Sequence, residues 1–154
     1  MAEESIERGL YRAVGTNLSE KELYQRAIMK VGKPSAVCPL SALSYYELTD
    51  TIPKQVWVTV PPERRTQSHN VKLYRARNPK WKVGISTQDG YSITTIERTL
   101  VDCLTHKALL APRVGIDALK KAINEKKTSV SKIIEMSNSL GVKHRILAYI
   151  EALS

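Results

Sequence analysis

Between Gln55 and Ala76 the chain alternates twice with a period of two residues. Val56, Val58 and Val60 alternate with Trp57 and Thr59; Val71, Leu73 and Arg75 then alternate with Lys72, Tyr74 and Ala76. A two-residue period sends successive side chains to opposite faces of a strand. The spacing predicts strands over Gln55–Val60 and Val71–Ala76, which commits the middle of the chain to a sheet. Pro61-Pro62 ends the first strand, because proline cannot donate to a ladder. The second carries charges on both faces, which suits a sheet edge or a functional face.

The net charge sits on that same scaffold. Lys54, Arg64, Arg65, Lys72, Arg75, Arg77, Lys80 and Lys82 face a single acid, Glu63, so this stretch holds seven of the chain's nine net positive charges. Cations fixed on strands attract polyanions, of which nucleic acid is the commonest large one in a cell. These eight residues are the candidate nucleic-acid-binding set, read as a basic hairpin surface with a polar loop, Glu63–Asn70, carrying Arg64, Arg65 and His69. The same charges also suit a solvated strand face that binds nothing in particular. Trp57, Tyr74 and Trp81 lie among the cations, where rings can stack on bases or pack inward; Trp57 is expected in the core.

Helices flank the strands. Ser19 with Glu22 forms a capping box, Leu23, Ala27, Ile28 and Val31 share one helical face, and Gly32 and Pro34 stop the helix. A short strand is expected at Ala36–Cys38 and a short helix from Pro39 to Leu48, with Ser41 and Ser44 near its start, where serine normally caps. Lys82–Thr87 and Tyr91–Thr94 read as a hairpin turned by Asp89-Gly90. Thr94 and Glu97 form a second capping box opening a helix to about Leu110, lined by Ile96, Leu100, Cys103, Leu104 and Ala108. Pro112 follows its end. Three further helices are expected, around Ile116–Ile123, from a Ser129 cap to Gly141, and through Ile146–Leu153. The order predicts an α+β fold, or α/β if Ala36–Cys38 pairs in parallel: a small mixed or antiparallel sheet with a helical C-terminal third. Residues 1–16 form a polar N-terminal segment whose Arg8–Arg12 run reads as a strand, and 17–154 form the domain.

At 154 residues with 42% hydrophobic content the chain can bury one ordinary core. Met1–Gly9 has no apolar stretch and no segment reaches membrane-spanning length. Cys38 and Cys103 are far apart and outside any CxxC pair, as in a reduced cytoplasmic protein with two buried thiols. His69, His106 and His144 are scattered, and no GxSxG, phosphate-binding loop or HExxH motif occurs. Glu97 and Asp102 are five apart and face one another poorly. With Arg98 they suit caps and ion pairs better than catalysis. No catalytic residue, cofactor or metal ligand is assigned. A second basic set, Lys120, Lys121, Lys126, Lys127, Lys132, Lys143 and Arg145, reads mainly as solvated helix faces.

Several segments together resemble a known family. They are Ser41-Ala42-Leu43 leading to Leu48, Pro53 with Val56–Val60, Ile93–Asp102, Ser131–Met136 and Leu140–Ile146, with Glu97-Arg98-Thr99-Leu100-Val101-Asp102 the most specific. This pattern resembles the C-terminal domain of AbiEi-type antitoxins of type IV toxin–antitoxin (abortive infection, phage resistance) systems and related transcriptional regulators. The resemblance covers roughly residues 8 to 154. It implies a non-enzymatic prokaryotic protein that counters a nucleotidyltransferase-like toxin, without implying direct contact, and binds DNA. Family members carry a winged helix-turn-helix before this domain; here Arg8–Arg12 reads as its closing wing or connector, so weak sequence-specific operator reading is expected.

Three functions follow as expectations: a regulator binding DNA or RNA through Lys54–Lys82, a nuclease or transferase with an unrecognised site, and an interaction domain for an acidic protein.

Overall fold

A computed structural model of the chain describes residues 10–11, 18–65, 70–106 and 110–153. In chain order the elements are β1 (Leu10–Tyr11), β2 (Leu18–Ser19), α1 (Glu20–Val31), β3 (Ala36–Val37), α2 (Leu40–Tyr45), β4 (Val56–Val60), β5 (Val71–Arg75), β6 (Ile85–Thr87), β7 (Ser92–Thr94), α3 (Ile96–Thr105), α4 (Pro112–Asn124), α5 (Val130–Ser139) and α6 (Lys143–Leu153). A five-stranded mixed sheet in the order β5-β4-β3-β7-β6 is packed with helices, the α+β class expected, with a helical C-terminal third. β3 pairs antiparallel with β4 and parallel with β7, which gives the sheet its mixed character. β1 and β2 form a separate antiparallel ribbon. Of the Arg8–Arg12 run only Leu10–Tyr11 is described; Arg8, Gly9, Arg12, His69 and Ala108 lie outside the described residues.

The strand period sets the layers. Val56, Val58, Val60 and Val71 turn to one face with Val37 and Ile93, where Tyr24, Ala27, Ile28 and Val31 of α1 cover them. On the other face Leu40 and Leu43 of α2 and Leu100, Val101 and Leu104 of α3 join Leu119, Ile133 and Ile146 of α4, α5 and α6. Leu100 has no exposed surface. α3 is the hub of this layer and packs against all three C-terminal helices.

Local chemistry explains most boundaries. The Ser19 hydroxyl accepts from the Glu22 amide and Glu22 accepts from the Ser19 amide, closing the expected box. The β6–β7 hairpin turns at Asp89-Gly90, with Gly90 at φ +80°, a conformation glycine adopts without Cβ strain. Ser129 caps α5, and Pro112 opens α4 in its first turn.

Four expectations change. First, β4 and β5 are parallel neighbours, so Lys54–Lys82 contains no hairpin; β5 lies at the sheet edge as its charge pattern suggested. Second, α3 is capped by Thr95, whose hydroxyl accepts from the Arg98 amide, while Thr94 is buried at the end of β7, bonded to Thr99. Third, α3 ends at Thr105, five residues short of Leu110. Fourth, Ser41 caps nothing: α2 starts after Pro39 without a side-chain cap, and the Ser41 hydroxyl accepts from the Trp57 amide, tying α2 to β4.

Candidate nucleic-acid interface

The parallel β4–β5 pair needs a connection that crosses the sheet, and the cations divide according to how they serve it. Arg64, in that connection, donates through its guanidinium to the carbonyls of Val31, Gly32 and Lys33 at 2.7, 2.9 and 3.0 Å, and more weakly to Pro34. Helix C-termini leave carbonyls without intrahelical donors; Arg64 supplies them to α1. Arg75 then donates from Nε to the Arg64 carbonyl at 2.7 Å, locking the connection to β5. Both side chains are half-buried and engaged in holding the fold.

The remaining six candidates, Lys54, Arg65, Lys72, Arg77, Lys80 and Lys82, are exposed. Lys54 stands at the entry to β4 and Lys72 on the edge strand, with its ammonium 5.6 Å from the Trp57 ring centroid. Trp57 is half-buried rather than fully in the core. Arg77, Lys80 and Lys82 ride on the turn after β5, and Lys82 lies over the buried Trp81 ring at 5.8 Å.

That turn is held from beneath. Arg98 on α3 donates from one guanidinium nitrogen to the carbonyls of Trp81 and Val83 and from Nε to both oxygens of Asp102, one turn on. Gly84 ends the turn at φ +78°, where a Cβ would stand 2.7 Å from Arg98 Cβ. The Asn78 side chain accepts from the Lys80 amide and donates to the Leu140 carbonyl at the α5 C-terminus. This contact ties the turn to the C-terminal end of α5; Lys143 and Arg145, in the first turn of α6, are exposed. Of the other members of the second basic set, Lys120 and Lys121 lie on α4 and Lys132 on α5, whereas Lys126 and Lys127 fall in the turn between those helices, where Lys127 donates to the Tyr46 carbonyl and pairs with Glu125.

Asp102 is the one buried carboxylate among the described residues. Burial raises its pKa above the ordinary value, and the Arg98 charge opposes that shift. His106 Nδ1 lies 3.8 Å from its Oδ1 and 3.3 Å from its backbone carbonyl. The His106 ring meets Tyr74 edge-on at 5.6 Å. Glu97 points elsewhere and accepts from the Thr128 hydroxyl at 2.6 Å. The two carboxylates thus have separate partners. Cys38 and Cys103 are free and buried, and burial pushes both thiols up. Among the described residues no group of three or more His, Cys, Asp or Glu is placed to hold a metal ion. No described helix is long and apolar enough to cross a membrane.

One feature, and the role of another, escaped sequence reasoning. An arginine that caps a helix thirty-odd residues away leaves no local signature. The Arg98–Asp102 pair does leave one, opposite charges four apart on a helix, but its task of fastening the basic turn depends on tertiary contacts.

The arrangement defines a class in chemical terms: a mixed-sheet α+β domain whose edge strand and following turn display exposed cations. Compared with known proteins, the chain matches no family model and no curated protein.

Proposed function

We propose that this domain is a non-enzymatic antitoxin or regulator of the AbiEi type, acting in the cytoplasm and holding nucleic acid on the basic edge of its sheet. The observation that carries the reading is the exposure of six cations along this edge of the sheet, Lys54 before β4, Arg65 in the β4–β5 connection, Lys72 on β5, and Arg77, Lys80 and Lys82 in the turn after it, a turn that the buried Arg98–Asp102 pair fastens. Cations that neutralise phosphates release bound counterions, and phosphate contacts position a nucleic acid without reading its bases. The family part of the proposal rests on the resemblance over Glu97–Asp102, which is the segment that mounts the turn.

A two-plasmid growth assay with the nucleotidyltransferase-like toxin encoded alongside tests it. The chain is expected to restore growth, and a variant reversing Lys54, Arg65, Lys72, Arg77, Lys80 and Lys82 to Glu is expected to lose rescue while staying folded. A soluble, folded chain that fails to rescue refutes the antitoxin role. Full rescue by the reversed variant refutes the role of the basic edge.

A further inference from the structure

We propose that the β4–β5 face bearing Trp57, Lys72, Tyr74 and His106 binds single-stranded nucleic acid by stacking unpaired bases on its rings. The inference rests on the nucleic-acid reading above and narrows it from polyanion binding to one strand state.

Register supplies the first argument. Trp57 pairs with Lys72 and Thr59 with Tyr74, so all four lie on the same face of the sheet, and Lys72 and Tyr74 lie two residues apart on the edge strand. His106, at the C-terminal cap of α3, meets the Tyr74 ring edge-on at 5.6 Å with an interplanar angle of 68°. Arg77 follows the end of β5, and its charge opposes the rise that burial and the Asp102 charge impose on the Tyr74 hydroxyl. Along the edge the order is therefore ring with cation, Trp57 and Lys72, then paired rings with cation, Tyr74, His106 and Arg77.

Exposure supplies the second. Trp57, Tyr74 and His106 are each half-buried, Trp57 packing against the helical layer's core and Tyr74 against His106, whereas Trp81 is buried beneath Lys82. Lys72 is exposed and covers Trp57 only through a cation–ring contact. A phosphate can draw the ammonium away and free the ring for a base. Aromatic platforms beside backbone-tracking cations are the general means by which proteins hold single strands.

Spacing supplies the third. The two platforms are offset by two residues along the strands, about 7 Å, and by one strand across, about 5 Å. Bases stacked in a duplex rise only about 3.4 Å per step and turn their faces to each other. Only a strand with separated bases can meet both platforms at once.

The test uses the full chain with fluorescein-labelled single-stranded oligothymidylate and a labelled duplex of equal length, at equal salt. The single strand is expected to bind tighter than the duplex and to quench tryptophan emission, which the duplex leaves unchanged. Tyr74→Leu, which keeps the underside apolar, is expected to weaken single-strand binding by roughly ten-fold, in the range of one lost stacking contact, and to leave duplex binding within about two-fold. Duplex binding as tight as single-strand binding, or a Tyr74→Leu variant that binds the single strand as tightly as the parent, overturns the stacking proposal and leaves phosphate binding standing. The quenching measurement needs no variant, so it decides the matter even if Tyr74→Leu fails to fold. Absence of binding to either probe in low salt overturns both readings.

Discussion

Arg98 ties α3 to the turn after β5. Its guanidinium binds a buried carboxylate one turn away and two carbonyls of the turn that displays Arg77, Lys80 and Lys82. Removing one member of a buried ion pair leaves the other charged and unsolvated, which costs about 3–5 kcal/mol. Arg98→Met should lose about that much stability at neutral pH by urea denaturation. The sign of the pH effect follows from Asp102. Its carboxyl is already raised in the fold by burial, so the fold holds its proton at a pH where the unfolded chain has released it. The stability this residue contributes therefore declines as pH rises from the ordinary value through the folded one. Without Arg98 the folded value rises further, and the Arg98→Met deficit should shrink in mildly acidic buffer. A deficit that stays constant with pH contradicts the account. Leu100 is a simpler case: it is fully buried at the centre of α3, and Leu100→Ala should cost roughly 2–5 kcal/mol. A change under about 0.5 kcal/mol would mean that α3 does not pack as described.

At the scale of elements, α1 is closed at both ends by side chains of different kinds. At its start, Glu22 accepts from the Ser19 amide and hydroxyl, and these bonds hold its carboxyl below the ordinary value of 4.5. A lowered carboxyl contributes stability that is present above the ordinary value and lost as pH falls through the folded one. Glu22→Gln should thus remove stability at neutral pH and flatten the acid limb of the unfolding curve; an unchanged acid limb speaks against the box. At its end, Arg64 does the capping while Arg65 next to it stays exposed. Arg64→Ala should therefore lower the melting temperature, and Arg65→Ala should leave it nearly unchanged. Equal effects would refute the division between structural and displayed cations. This division marks what the sequence could reveal. The Ser19 box, the Asp89-Gly90 turn and the valines of β4 are local signals and read correctly. The parallel β4–β5 pairing is a long-range choice: the same alternation serves a hairpin and a crossover and cannot tell them apart. The shift of the α3 cap from Thr94 to Thr95 has a similar origin, because Thr94 is taken up by β7 and by Thr99 in the core.

For the whole molecule, charge and architecture lead to one account. α1 and the α3-centred helical layer cover the two faces of the sheet, and β5 at its edge carries the basic surface on to the turn after it. The charge cluster was legible in the sequence as a total. Its partition was not, because a count of Lys and Arg cannot tell Arg64 and Arg75, half-buried against backbone carbonyls, from the six exposed side chains. The central claim is that those six form a phosphate-binding surface, and a salt titration of duplex DNA binding by fluorescence anisotropy tests it most directly. If about four of them contact phosphates, log K against log salt should fall with a slope of roughly −3 to −4, with little dependence on DNA sequence. Reversing Lys54, Arg65, Lys72, Arg77, Lys80 and Lys82 while keeping Arg64 and Arg75 should abolish that binding in a folded protein. Undiminished binding by this variant, or no binding by the parent chain in low salt, would contradict the account.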